Sequence, residues 1–182
     1  DLKAGSDSPP FSNSAVDGYA FRFADAHGEY LELKKGRAAA GHPFSQAIEK
    51  GQAIRIFTGA VLPVGTDTVV LQEDVKLEEN KIYFENSLQV GANTRTLGED
   101  IKKGQVIAFK RDLMTAFMAA SSISSGIRKA KVYRKLRVGV FSTGDELIDF
   151  EKPLKLGSVF DVNSPMLASL LKAWGYEVYE LG

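Results

Sequence analysis

The sequence predicts an α+β chain built from two kinds of module, a β-rich one first and the opening of an α/β one after it. Three observations carry this. Between Gly18 and Gly91, short apolar runs with β-branched residues are cut repeatedly by glycine. Near Gly104 the pattern shifts to helix formers. From Leu136 onward a strand, a helix and a strand follow one another, the order of a parallel crossover unit.

Taken in chain order, Gly5, Ser6, Asp7, Ser8, Pro9 and Pro10 are loop chemistry. The runs Tyr30–Leu33, Ala53–Phe57, Thr68–Leu71 and Lys81–Phe84 predict strands. A long turn joins the two central ones through Thr58-Gly59-Ala60-Val61-Leu62-Pro63-Val64-Gly65. Asp112 is the predicted N-cap of a helix over Leu113–Ile123, with Gly126 closing it. Leu136–Phe141 predicts a buried strand, and Ser158–Phe160 a short one. Ser164 at N-cap and Pro165 at N1 start a second helix. Met166, Leu167, Leu170, Leu171 and Trp174 recur on it at helical spacing, with Trp174 as a core residue. Gly175 stops it, and Tyr176–Tyr179 begins another strand. A sheet so barely started leaves apolar faces uncovered, so the natural protein is expected to continue beyond Gly182.

Composition narrows the chemistry. The 182 residues are 44% hydrophobic and 25% charged, enough apolar material for a packed core. Lys plus Arg and Asp plus Glu are both 23, and this neutrality argues against nucleic acid as a partner. With no cysteine there is no disulfide, thiolate metal site or cysteine nucleophile. His27 and His42 are the only histidines, and both read as surface loop residues. No run approaches the roughly 20 apolar residues of a membrane span. No signal peptide is visible, so a cytoplasmic, membrane-free protein is expected. Neither a G-x-G-x-x-G fingerprint nor a Walker A loop is present.

Three polar motifs are candidates for chemistry. In Asn13-Ser14-Ala15-Val16-Asp17-Gly18-Tyr19-Ala20, a carboxylate among small residues can bind a metal, or simply close an Asx turn before a strand. Thr58-Gly59-Ala60 offers a hydroxyl and backbone amides at a strand end, an anion nest or a plain turn. In Phe141-Ser142-Thr143-Gly144-Asp145-Glu146-Leu147, the polar residues follow a strand that would be parallel, where open sheets bind ligands. Ser142, Thr143 and the Gly144 amide could hold phosphate or another oxyanion. Asp145 and Glu146 would repel such a ligand unless a hard cation such as Mg²⁺ lay between, or they could serve a helix N-terminus. Gly98-Glu99-Asp100 reads as a turn, or its two acids beside Arg95 could join a site, and Asp161 and Asn163 read as caps of the last helix or the end of a strand. Lys129, Lys131, Arg134, Lys135 and Arg137 form a solvated basic connection.

Taken together and in order, these motifs resemble the molybdopterin molybdenumtransferase family, which includes bacterial MoeA proteins and related domains of gephyrin and plant molybdenum-cofactor proteins. The matching stretches are Asn13–Ala20, Thr58-Gly59-Ala60-x-x-Pro63-x-Gly65-x-Asp67-Thr68-Val69-Val70, Gly91-x-Asn93-x-Arg95-x-x-Gly98-Glu99-Asp100 and Ser142–Leu147. Asp161-x-Asn163 and Gly175–Val178 also fit, and Val16 stands where the family commonly has Met.

The resemblance implies a multidomain, elongated homodimer. Residues 3–97 would be a protruding β-rich second domain. Residues 1–2 and 98–126 would belong to a dimer-forming first domain, and residues 127–182 would open an α/β third domain. It implies insertion of molybdate into adenylylated molybdopterin with release of AMP, aided by Mg²⁺ or a similar divalent cation. A molybdopterin-adenylylating protein would be the upstream partner. Asp17, Thr58 and Glu146 match positions implicated in the family's active site, and Asp100 matches too. On that basis Asp17, Glu146 and Asp100 are candidate metal ligands or water-positioning groups, and Thr58 a hydrogen-bond donor to ligand. The alternative implied by the same resemblance is a scaffold or pterin-binding protein of the gephyrin type.

Overall fold

The computed structural model describes residues 1–85 and 87–182. Its contacts divide into two compact units, Asp1–Ala130 and Lys131–Gly182. In chain order the first unit holds strands Leu2–Lys3 (β1), Asn13–Ser14 (β2), Gly18–Phe21 (β3), Leu31–Ala38 (β4), Gln52–Ile56 (β5), Thr68–Leu71 (β6), Lys76–Glu78 (β7), Lys81–Tyr83 (β8), Thr94–Arg95 (β9) and Val106–Ala108 (β10), then helix Ala116–Ser124 (α1). The second holds Arg137–Val140 (β11), Leu147–Ile148 (β12), Val159–Phe160 (β13), helix Asn163–Ala173 (α2) and Glu177–Glu180 (β14).

The centre of the first unit is a six-stranded sheet ordered β6-β3-β5-β4-β8-β7, antiparallel except where β4 runs parallel to β5. Successive side chains of a strand point to opposite faces, so each short apolar run serves two clusters. Ala20, Ile54, Ile56 and Val69 pack with Ala38, Ile48 and Ala60 on one face. Phe21, Ala53 and Val70 pack with Ala26, Leu31 and Ile82 on the other. Both faces are covered, which explains why β5 and β6 read as nearly continuous apolar runs. Around this sheet, β2 pairs with β9 and β1 with β10, so the first residues of the chain lie beside residues 106–108.

Several elements depart from the sequence expectation. The strand expected at Tyr30–Leu33 continues as β4 to Ala38. Lys34, Lys35 and Gly36 disguised it, and the register with β5 shifts between Leu33 and Arg37, around Gly36 at φ +122°. Helix α1 starts later than expected: Thr115, not Asp112, is its N-cap, accepting from the Met118 amide at 3.2 Å. The Asp112 carboxylate instead accepts from the Phe109 amide at 2.8 Å and closes the preceding turn. Gly126 does end the helix region, at φ +81° with its amide on the Ile123 carbonyl.

In the second unit β11 and β14 are parallel neighbours, and α2 lies between them in sequence, giving the predicted crossover. The short strand near Ser158 does not join that pair; it lies parallel to β12, which begins at Leu147, the last residue of the third motif. The expected burial is absent. Of β11 only Val140 is buried, and Trp174 is 66% exposed rather than in a core. Among the described residues, no helix is long and apolar enough to cross a membrane.

The two regions should therefore exchange amide hydrogens at different rates. The amides of Ile54, Ile56 and Val69, in a sheet buried on both faces, are expected to be the slowest. Those of Val138 and Val178, on sparsely covered strands, should exchange well before them. NMR-detected exchange on this chain reads the order directly, and the reverse order would contradict the packing described.

Candidate functional site

Asp17 sits at the entry to β3, immediately before Gly18. Its Oδ1 accepts two hydrogen bonds from one residue, 2.8 Å from the Thr58 amide and 2.7 Å from the Thr58 hydroxyl. Thr58 lies just past the end of β5, the strand beside β3, which is why residues distant in sequence meet. The Thr58 amide and hydroxyl hold the Asp17 carboxyl below the usual carboxylate range, and the Arg55 charge adds to this. Among the described residues, Oδ2 of Asp17 accepts no hydrogen bond. The result is an ionised carboxylate with one oxygen committed and one open.

Local structure explains why Asp17 is free to play this part. The turn that could have used an Asx side chain is closed by Ser14 instead, whose Oγ donates to the Val16 carbonyl at 2.6 Å. Gly18 is required by close approach: a Cβ there would lie 1.9 Å from the Val70 carbonyl oxygen.

The anion nest expected at Thr58-Gly59-Ala60 is not available. The Thr58 amide goes to Asp17, that of Gly59 to the Ser14 carbonyl at 2.8 Å, and that of Ala60 to the Phe57 carbonyl at 3.0 Å. Asp100 is likewise committed. Arg95 Nη2 spans both of its oxygens at 2.7 and 2.6 Å, while Arg95 Nε holds Glu99 at 2.6 Å. The Arg95 guanidinium and the Thr96 amide keep the Glu99 carboxyl below its ordinary range.

Ser142, in the second unit, is turned toward the start of α2. Its Oγ donates to Asp161 at 3.0 Å and lies 2.7 Å from the Ser164 hydroxyl. Asp161 also accepts from the Asn163 and Ser164 amides at 3.0 and 3.1 Å, ahead of a helix whose N-cap position is Val162, so Ser164 and Pro165 lie inside its first turn rather than at N-cap and N1. These donors, led by Ser164, lower the Asp161 carboxyl. Thr143, Gly144, Asp145 and Glu146 are exposed. The Glu146 carboxylate folds back over Gly144, where an added Cβ would meet Oε2 at 2.6 Å. Among the described residues, no hydrogen bond or ion pair holds that carboxylate.

Sequence reasoning did not single out Arg55, Phe57 or Gln72, which meet beside the start of β3. The signal was present: Arg55 is the one charged residue in the apolar run Ala53–Phe57. Its guanidinium stands 5.1 Å from the Tyr19 ring centre and 4.8 Å from that of Phe57. It donates to the Gly18 carbonyl at 3.1 Å and to the Gln72 side chain.

Among the described residues no group of three or more His, Asp or Glu side chains forms a metal cluster. Mg²⁺ keeps several waters and needs only one or two carboxylates beside substrate phosphates. Asp17, with an open oxygen, and Glu146, with a free carboxylate, each fit that limited role. Asp100 is paired with Arg95 in this structure.

Because the Asp17 value is lowered on folding, the ion adds stability above the unfolded carboxylate range. That contribution is lost as pH falls through the lowered folded value. Thr58→Val removes the hydroxyl donor and keeps the amide. It should raise the Asp17 value toward normal, read by ¹³C-carboxyl NMR titration; an unchanged midpoint would mean the hydroxyl is not a donor in solution.

A family model described as the MoeA N-terminal region, domains I and II, matches residues 1–126. The chain is 41% identical over 175 residues to a molybdopterin molybdenumtransferase of Haemophilus influenzae, covering 96% of this chain and 43% of that protein. It is 37% identical to one from Nostoc, over 94% of this chain and 40% of the relative. A crystal structure of a molybdopterin biosynthesis MoeA protein from Pyrococcus horikoshii superposes with a TM-score of 0.88 at 34% identity, over 100% of this chain and 50% of that one. The chain thus spans less than half the length of those two curated relatives. With 126 of its 182 residues matched by the family's own N-terminal model, the chain belongs to the MoeA family.

Proposed function

We propose that this chain works as part of a longer protein that inserts molybdate into adenylylated molybdopterin and releases AMP. The observation that carries the reading is the Asp17–Thr58 corner, in a chain of the MoeA family. We assign residues 3–97 to a β-rich second domain, 1–2 and 98–126 to a first domain, and 127–182 to the opening of an α/β third domain. The whole protein is proposed to be a cytoplasmic homodimer that receives its substrate from a molybdopterin-adenylylating protein.

The residues supply positioning rather than strong base chemistry. A carboxyl held below its ordinary range is a weak proton acceptor near neutral pH. Asp17 is therefore suited to orienting a water or a metal-bound ligand through Oδ2, with Thr58 fixing the carboxylate through Oδ1. Glu146 offers an uncommitted carboxylate after β11, beside the exposed Thr143 and Gly144. A bound Mg²⁺ would neutralise phosphate charge and polarise a phosphate oxygen.

The test is AMP release by the purified whole protein given adenylylated molybdopterin, Mg²⁺ and molybdate. Release that requires molybdate supports the reading. No release, or release at the same rate without molybdate, would overturn it.

A further inference from the structure

We propose that Arg55 is a positioning residue for the Asp17 carboxylate, acting through the backbone on either side of it. The placement follows from strand register. Arg55 lies opposite Tyr19 on β3 and opposite Arg37 on β4. Its guanidinium is held over Tyr19 and Phe57, and from there it reaches two acceptors. One is the carbonyl of Gly18, the residue after Asp17, at 3.1 Å. The other is the Gln72 side chain, and the Gln72 amide donates back to the Asp17 carbonyl at 3.2 Å. A closed ring of contacts thus runs from Arg55 through Gly18, Asp17 and Gln72 and back to Arg55. Thr58, which receives the carboxylate, is three residues past Arg55, with the stacked Phe57 between them.

Among the described residues Arg55 forms no ion pair with Asp17, so its effect reaches the carboxylate by placement and by field across a distance. Glu73, beside Gln72, is a further charged neighbour: the Asp17 charge works to raise the Glu73 carboxyl, while Gln72 and Arg55 lower it. The Arg37 guanidinium stands 5.9 Å from the centre of the same Phe57 ring. A planar fork that stacks and donates in two directions is a property of arginine that lysine lacks. The catalytic consequence rests on the function proposed above; the geometric one does not.

The experiment has two arms. The first follows the Asp17 ¹³C-carboxyl and the Thr58 amide by NMR through a pH titration of this chain, in wild type, Arg55→Gln and Arg55→Lys. The wild-type Thr58 amide should titrate with Asp17. In both variants the Asp17 midpoint should move up and the Thr58 amide should lose much of its response, while Ile54 and Val69 signals report an intact sheet. Tyr19→Leu removes one stacking face without touching the guanidinium and should shift both signals in the same direction by less. This variant keeps the test decisive if the Arg55 variants do not fold. Wild-type titration in both Arg55 variants, or full restoration by Lys, would overturn the proposal, as would an unmoved Tyr19→Leu where it alone folds. The second arm measures AMP release by the whole protein. Arg55→Gln should lower kcat about 10- to 100-fold, the size of effect that misplaced groups give, with KM for the adenylylated pterin little changed. A loss confined to KM would also overturn it. A wild-type protein with no molybdate-dependent release would refute the proposed function and leave the NMR arm to decide on Arg55.

Discussion

Asp17→Asn is expected to cut molybdate-dependent AMP release by the whole protein by a factor of about 100 to 1,000, the range seen when one preorganised polar group is removed. The substitution keeps shape and can keep an oxygen on Thr58, whose amide and hydroxyl lie 2.8 and 2.7 Å from Oδ1. It removes the charge and replaces the open oxygen with an NH₂ donor that cannot hold a cation or accept from a water. The loss should therefore fall on turnover and not on folding. Rates within a few-fold of wild type would show that the open oxygen is a bystander. Amide spectra of the sheet should be nearly unchanged, because the carboxylate lies at the mouth of β3 and not among Ala20, Ile54 and Val69.

Gly18→Ala should be the most damaging small substitution in the sheet. A Cβ at Gly18 would lie 1.9 Å from the Val70 carbonyl oxygen and 3.0 Å from Val69 Cγ1. The neighbour is backbone on a paired strand, so relief requires β3 and β6 to part where Gly18 faces Leu71. Forcing such overpacking costs about 2–4 kcal/mol, a large part of a typical domain's stability. With a urea slope of about 2 kcal/mol per molar, the midpoint should fall by about 1–2 M. Gly28→Ala is the control: its Cβ would sit 3.4 Å from the Tyr30 carbonyl oxygen, an ordinary contact. Because the chain has two compact units, unfolding should be followed on Ile54 and Val69 methyl signals, which report the sheet alone. Equal midpoints for the two variants would mean that β6 shifts freely, against the register described.

Much of the sheet was legible because apolar alternation and β-branching act locally. β5, β6 and β8 appear close to where Ala53–Phe57, Thr68–Leu71 and Lys81–Phe84 place them. The far half of β4 was not, since its Lys-Lys-Gly segment faces outward around a register shift, and only pairing with β5 makes it a strand. Trp174 and the start of β11 misled for a related reason: helical spacing reports which residues share a face, not whether anything covers it. At the site, residue type gave Asp17 and Thr58, and the β3–β5 pairing brings them together. The commitments of Asp100 to Arg95 and of Ser142 to Asp161 are side-chain choices that spacing does not encode. Arg55 was visible as a charge inside an apolar run, but its partners come from three different elements.

The most direct test counts products in a single turnover of the whole protein loaded with adenylylated molybdopterin. AMP and molybdenum-containing cofactor are measured together, in wild type and in Asp17→Asn. The account predicts one AMP for each molybdenum inserted in wild type, and a matching loss of both products in the variant. AMP released without molybdenum transfer, or full transfer by Asp17→Asn, would contradict it.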